Sequence, residues 1–319
     1  MSSATLLKLA AAFNQPNQTA IIDSLTKDSG ILRTMPFQKA SHGLFHKYKI
    51  KTGLPSGGFR NVNGSIIPHT TNDEVKQTDL KILTDIQQED KAICESYPGG
   101  VEKYFADELP AFVEGLGQTA AKQVIYGTDG TFGDSEGFVG LRQSAIANSN
   151  IIAAGGTSGS RTTILAVRWK HGICTGLFNE NAFADGQMIT VRPLNTGNPV
   201  MVVVDTATGA VKPVYQALYE AYMGLLVADT KNVAAYTQIQ DASGKKPTAA
   251  NLDKLIDMVN GTAGDTFIYC NRIGRRLLWE LKDSKMQITP AETEYNSMLE
   301  RWNGIPMILD ENLSATETI

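Results

Sequence analysis

Residues 101–124 read VEKYFADELPAFVEGLGQTAAKQV, and their apolar positions decide the architecture. Val101, Tyr104, Phe105, Leu109, Phe112, Val113, Leu116, Ala120 and Val124 recur at steps of three and four, the mark of one long amphipathic helix. Pro110 lacks a backbone donor and clashes with the preceding turn, which predicts a kink or local break at mid-helix. The helix stops at Tyr126-Gly127, where the glycine-rich run GTDGTFGDSEGFVGL (127–141) begins.

Upstream, the pattern changes. Residues 42–81 carry repeated glycines, Pro55, Pro68 and scattered β-formers with little helical period, and read as a long two-stranded excursion. An isolated hairpin is marginal in water, so this one needs a surface to lie on, within the chain or on another. Before it, residues 19–37 (TAIIDSLTKDSGILRTMPF) predict a short helix with Ile21, Ile22 and Leu25 on one face. A turn at Ser29-Gly30 and an extended exit through Met35-Pro36 follow, making this an N-terminal arm.

Charge separates the two regions. Lys47, Lys49, Lys51 and Arg60 occur with no acidic residue between 42 and 67. Residues 85–114, read as an acidic helical surface, carry Asp85, Glu89, Asp90, Glu95, Glu102, Asp107, Glu108 and Glu114 against Lys91 and Lys103. The two sets are either complementary contact surfaces or two independently solvated faces.

Downstream, residues 162–238 are β-rich: TTILAVRW, GICTGLF, MITVRPL, PVMVVVD, and a less regular stretch that ends in GLLVAD and VAAYTQI. Thr248 then caps a helix whose Leu252, Leu255, Ile256 and Val259 form one stripe before Gly261. Residues 267–270 (FIYC) read as a buried strand, and Asn271 caps a second helix with Ile273, Leu277, Leu278 and Leu281 inward. Thr289-Pro290-Ala291-Glu292 has a helix-start pattern leading into Tyr295, Met298, Leu299 and Trp302, with Gly304 ending the helix and residues 305–309 (IPMIL) forming a last strand. The fold class is α+β.

The 319 residues carry a formal charge of −4 and a pI near 5.7, which argues against a chain whose main work is neutralising nucleic-acid phosphate. Cys94, Cys174 and Cys270 are odd in number and without paired spacing, so neither a zinc site nor a disulfide framework is expected, and a reducing cytoplasm is the default. Residues 1–13 hold a short apolar patch broken by Lys8, which suits an amphipathic helix or arm better than a signal peptide. No segment reaches the roughly 20 apolar residues of a membrane span, and the chain is expected to be soluble when made.

A search for chemistry returns little. Of the four histidines, His42, His46 and His69 lie in the excursion, a poor platform for a general base, and His171 stands apart. His42 and His46 are four apart without an HExxH context. The run Gly155-Gly156-Thr157-Ser158-Gly159-Ser160 lacks the Gly-Lys-Ser/Thr of a nucleotide loop, and a GxSxG elbow centred on Ser158 would need glycine at 160; a flexible connector fits better. Asp129, Asp134 and Glu136 could offer oxygens to calcium but lack the spacing of a calcium loop. No catalytic, cofactor-binding or metal-ligating residue is expected.

The arm IIDSLTKDSGILRTMPF, the segment LPSGGFRNVNGS, the acidic stretch closing on IYG, the run GTFGDSEGFVGL, and the motifs RWKHGICTGLF, FIYCNRIGRRLL and WNGIPMILDENL occur in that order. Together they resemble the tailed-bacteriophage major capsid proteins of the Hong Kong 97 fold, and among them the short-tailed phage coat proteins of the Epsilon15 and Bordetella phage type. The resemblance spans almost the whole chain and rests on order and spacing. It implies an N-arm at 1–41, an extended E-loop at 42–81, a peripheral domain with spine helix and sheet at 82–238, an axial domain at 239–312 and a tail at 313–319. It further implies a shell protein with no cofactor and no enzymatic activity. Copies would assemble into hexamers and pentamers of an icosahedral head around double-stranded DNA without sequence-specific binding. A portal and a scaffold or decoration protein would be partners, with synthesis in the host cytoplasm and no membrane contact. In such a shell Lys47, Lys49, Lys51 and Arg60 of one copy would meet acidic residues such as Glu102, Asp107, Glu108 and Glu114 of a neighbour. Covalent crosslinking between copies is not expected. An encapsulin-like compartment is the alternative within the fold, and a serine hydrolase built on Ser158 the remote alternative outside it.

Overall fold

A computed structural model of the chain describes residues 29–97, 99–179, 189–205, 209–281, 286–290 and 298–317. The helix expected around Ile21, Ile22 and Leu25 lies outside them, as does everything before Ser29. In chain order the elements are α1 (Gly30–Thr34), β1 (Phe37–Lys39), β2 (Phe45–Gly53), β3 (Asn72–Asp79), β4 (Lys81–Asp90), α2 (Lys91–Ser96), α3 (Gly100–Tyr126), α4 (Leu141–Ala147), β5 (Ile151–Ala153), β6 (Thr162–Arg168) and β7 (Cys174–Phe178). Then follow β8 (Ile189–Pro193), β9 (Val200–Asp205), β10 (Ala210–Val227), β11 (Val233–Ile239), α5 (Ala249–Met258), β12 (Thr266–Cys270), α6 (Arg272–Glu280), β13 (Met286–Pro290), β14 (Met298–Trp302) and β15 (Ile305–Leu309).

The long helix predicted from the 101–124 stripe is α3, and it runs unbroken through Pro110. The expected break does not occur: the proline lies on the exposed side, where losing one backbone bond leaves the apolar stripe intact. That stripe, Phe105, Leu109, Val113, Leu116, Ala120 and Val124, is buried. It lies on a sheet organised by the 18-residue strand β10, whose Tyr215, Ala217, Tyr219, Ala221, Met223 and Leu225 alternate inward into the same core. Phe112 stacks on Tyr219 with ring centroids 5.1 Å apart. One edge of β10 pairs antiparallel with β4 from Met223↔Lys81 to Val214↔Asp90. Its other edge receives β9, β8 and β7 in succession, and β1 lies parallel to β7.

A second sheet has the order β13-β14-β15-β12-β6-β11-β5 and is covered on both faces. Leu165, Val167, Val233, Ala235 and Tyr269 face the core shared with α3. Their neighbours Ile164, Ala166, Ala234, Tyr236, Ile268 and Cys270 face a second core built with Leu252, Leu255 and Ile256 of α5 and Leu277 and Leu278 of α6. Burial on both faces is why VAAY and TILAV read as continuous apolar runs. The Thr248 and Asn271 caps are present, accepting from Asn251 N–H at 3.3 Å and Gly274 N–H at 2.8 Å.

Four expectations are corrected. Residues 85–90 are strand, so Asp85 and Glu89 lie on β4 and Asp90 at its end, not on a helix; pairing with β10 overrides the local pattern. The β-rich stretch 162–238 does not form one sheet: β7 to β10 pair in the first, whereas β6 and β11 flank each other and join β12 in the second. The helix expected after Thr289-Pro290 is replaced by β13 and β14, an antiparallel pair ending on Trp302; its residues 291–297, including Tyr295, lie outside the described residues. Pro290 fits because β13 is an edge strand, where a missing N–H breaks no second ladder. Ser29-Gly30 starts α1 instead of forming a turn, with the Ser29 side chain accepting from Leu32 N–H.

Candidate subunit interface

The excursion at 42–81 is an antiparallel pair, β2 with β3, carrying a long irregular tip at residues 54–71. Outside its base it is exposed apart from the half-buried Ile50 and Gly53. Leu54, Phe59, Val62, Ile66, Ile67 and Val75 all lie in water, Phe59 completely. On the first sheet, Ile82 and Ile86 of β4 are exposed on the face turned away from α3, while Met201, Val203 and Val211 are exposed on the opposite face, at the β9 end of β10. Exposed apolar side chains on the hairpin and on the first sheet are candidate contact surfaces. Sequence reasoning missed Leu54, Phe59, Val62, Ile66 and Ile67 because they follow no helical or strand period; the signal available was apolar side chains inside a glycine-rich loop.

The predicted basic residues sit on this hairpin, Lys47, Lys49 and Lys51 on β2 and Arg60 in the tip. Lys49 is committed within the chain, 2.8 Å from Asp73 across the ladder, and this bond holds the Asp73 carboxyl below its usual range. Lys47 lies over the Phe45 ring at 5.2 Å, and Arg60 donates to the Gly64 carbonyl at 3.1 Å. The return strand β3 carries Asp73, Glu74 and Asp79, so the hairpin is basic on one strand and acidic on the other, not uniformly basic.

Glu102, Asp107, Glu108 and Glu114 all lie on α3. Asp107 accepts from the Tyr97 hydroxyl at 2.9 Å and from Lys103 at 3.3 Å, bonds that lower its pKa. Glu114 accepts from Gln118. Among the described residues no ion pair joins this acidic set to the hairpin lysines or Arg60.

Buried polar braces hold the body behind this surface. Asp310 accepts from the Ser29 hydroxyl at 3.0 Å and from Ile31 N–H at 2.8 Å, fixing α1 to the end of β15. Gln123 accepts from Asp134 N–H at 2.7 Å and donates to the Phe138 carbonyl at 2.8 Å, pinning the glycine-rich run to α3. In that run one oxygen of Asp129 takes the N–H groups of Thr131, Phe132 and Gly133 at 2.9 to 3.0 Å and braces the turn. No group of three metal-ligating side chains occurs among the described residues. No helix among them is long and apolar enough to cross a membrane.

A family model described as major capsid protein GP7 matches residues 14–319. No curated protein matches the chain. Among solved structures, that of bacteriophage Epsilon15 is 17% identical, with 89% of this chain and 88% of that chain covered and a TM-score of 0.55. The bacteriophage JBD30 capsid is 10% identical, with 90% and 92% covered and a TM-score of 0.50. A holo-encapsulin complex from Synechococcus elongatus is 10% identical over 66% of this chain and 87% of that chain, with a TM-score of 0.46. The phage structures share the fold, a Hong Kong 97-type capsid fold.

Proposed function

The chain belongs to the major capsid protein GP7 family, and on that premise we propose that its exposed hairpin is the contact through which copies join into hexamers and pentamers of an icosahedral phage head. The family is structural, so the protein is a capsid component of the virion and a self-assembling shell protein, and the hydrolase alternative on Ser158 falls away. The observation that carries the hairpin reading is the run of uncovered apolar residues from Leu54 to Ile67. Association removes that surface from water at about 25 cal/mol per Å², and so orders a segment that is poorly supported alone. The outer sheet face around Ile82 and Ile86 offers a matching apolar ground on a neighbour.

Charge sets register in this proposal. Lys47, Lys51 and Arg60, which form no ion pair among the described residues, meet Glu102, Asp107, Glu108 or Glu114 of the next copy, while Lys49 stays with its own Asp73. The acidic balance of the whole chain suits a shell that encloses double-stranded DNA without gripping it. The portal and any scaffold or decoration protein are met by the assembled shell, and synthesis is placed in the host cytoplasm. Replacing residues 54–71 by a short glycine-containing turn tests the reading. Folded subunits that fail to close shells, by sedimentation and electron microscopy, are expected; normal shells from that variant would refute it.

A further inference from the structure

The hairpin leaves the body through residues 40–44 and returns at Leu80. Its collar is closed by three backbone bonds: Ala40 N–H to the Phe178 carbonyl at 3.0 Å, Leu80 N–H to Leu44 at 2.8 Å, and His42 N–H to Phe45 at 3.1 Å. Inside the collar sits His46, only 8% exposed. It lies on the same face of β2 as Tyr48, which packs against Ala40, Leu80, Leu177 and Leu226. Nδ1 of His46 accepts from Ser41 N–H at 3.1 Å. An imidazolium has a proton on both nitrogens and cannot accept, so this bond exists only while the ring is neutral with its proton on Nε2. Ser41 does double duty, because its hydroxyl accepts from Lys47 N–H at 2.9 Å and bonds His42 Nδ1 at 3.0 Å. One residue thus ties the incoming segment to β2 through both its backbone and its side chain.

We propose that His46 is a proton-operated pivot: its neutral ring pins the hairpin base through Ser41, and its protonation frees residues 40–47 so that the hairpin re-angles against the body. The inference rests on the hairpin being the contact between copies, and it adds the means by which that contact is regulated.

The surroundings favour release over capture of the proton. On the segment before β2 the titratable neighbour is His42, whose ring stacks on Phe45 at 4.5 Å. On β2 itself the nearest charge is Lys47, held over Phe45, with Tyr48 beyond. On β3, Thr78 is directly opposite and Asp79 is opposite Phe45, its carboxylate taking the Gln77 amide at 2.7 Å. From the body come the apolar Leu177 and Leu226. No carboxylate among the described residues is hydrogen-bonded to the His46 ring. Burial and then the His42 charge both lower its pKa. The unfolded chain therefore takes the proton more readily than the folded collar, which is fully held above about pH 6.5 and loses stability as pH falls below it.

Hydrogen exchange of the full chain, corrected for intrinsic rate, tests this at the Ser41 amide between about pH 7.5 and about pH 5, either side of the ordinary histidine value near 6.5. Wild-type exchange should rise roughly threefold to tenfold at the lower pH, the loss of about one backbone hydrogen bond. His46→Gln, which keeps an acceptor that does not titrate, should show no such rise. His42→Gln, which removes the charge acting on His46 and leaves the collar in place, should move the rise to higher pH and serves alone if His46→Gln does not fold. Flat wild-type exchange, an unchanged pH response in His46→Gln, or no shift in His42→Gln would each reject the pivot. Reading the Ser41 amide in both free and assembled protein keeps this outcome separate from whether the tip deletion blocks assembly.

Discussion

Tyr126, the last residue of α3, donates a 2.9 Å hydrogen bond to the carboxylate of Glu317, 191 positions further along the chain. The same carboxylate accepts from Thr163 on β6 at 2.7 Å and lies 3.7 Å from the Arg142 guanidinium on α4. The Tyr126 oxygen in turn accepts from Ser314 N–H at 2.6 Å. One buried acid thus gathers the end of the long helix, the helix after the glycine-rich run, the second sheet and the chain beyond β15.

Removing that acid should be among the most damaging single changes in the body. Glu317→Ala takes a carboxylate away from the buried Arg142, itself only 5% exposed, and is expected to cost about 3–5 kcal/mol in denaturant unfolding of the subunit. Glu317→Gln keeps one acceptor oxygen, enough for Tyr126 or Thr163 but not both, and should cost less. The pH dependence has a definite sign. Burial raises the Glu317 pKa despite Arg142 and the two hydroxyls, so the folded state holds the proton more tightly than the unfolded one. Its contribution to stability is complete below the ordinary value of 4.5 and diminishes as pH rises above it. Glu317→Gln should lack that slope, and an unchanged slope would show that another group produces it.

Gly30 is required by contact with the end of β15. A Cβ there would stand 2.4 Å from the Leu309 carbonyl oxygen and 2.6 Å from a methyl of Ile308. Gly30→Ala must push α1 away from Asp310, and is expected to cost about 1–3 kcal/mol in thermal or denaturant unfolding, the usual range for overpacking a fitted site. Asp310→Asn, which keeps one acceptor, should be milder than Asp310→Ala, which strands both Ser29 and Ile31.

The glycine-rich run depends on Gln123 in the same way. Gln123→Leu removes the partners of Asp134 N–H and the Phe138 carbonyl, and about 1–3 kcal/mol is expected for the polar groups left without them. Because Asp129 still braces its own turn, hydrogen exchange should quicken at 134–138 and stay slow at 131–133. Uniform quickening over 127–140 would mean that Gln123 holds the whole run.

How much of this was legible in the sequence depends on where each residue's partners come from. α3, α5 and α6 were readable because their buried positions repeat every three or four residues, and β6, β7, β11 and β12 because they are short continuous apolar runs. β10 was read only at its end, since Ala217 and Ala221, weak β-formers, interrupt Tyr215, Tyr219 and Met223 along its inward face. Residues 298–302 read as helix because Met298, Leu299 and Trp302 also fit a three-and-four step; pairing with β13 and β15 decided the matter, and no local signal carries that pairing. The charges on the hairpin were visible, but the Lys49–Asp73 bond was not, because it depends on register across 24 positions.

That bond makes the basic residues of the hairpin unequal. Lys49 already faces Asp73, so Lys49→Ala should mainly loosen the hairpin and change assembly little. Lys51 stands directly opposite Asp73 in the ladder, but that carboxylate is bonded to Lys49, and Arg60 stands at the tip donating to a carbonyl. If these two meet acids on α3 of a neighbour, Lys51→Glu and Arg60→Glu should raise the concentration at which shells form, and the penalty should shrink as salt is added, because exposed charges are screened over a Debye length of about 10 Å at 0.1 M salt. Pairing Arg60→Glu with Glu108→Lys should then restore part of the loss. Light-scattering assembly curves at low and high salt read all of these. Equal, salt-independent effects of Lys49→Ala and Lys51→Glu would mean that the hairpin acts through its apolar tip alone.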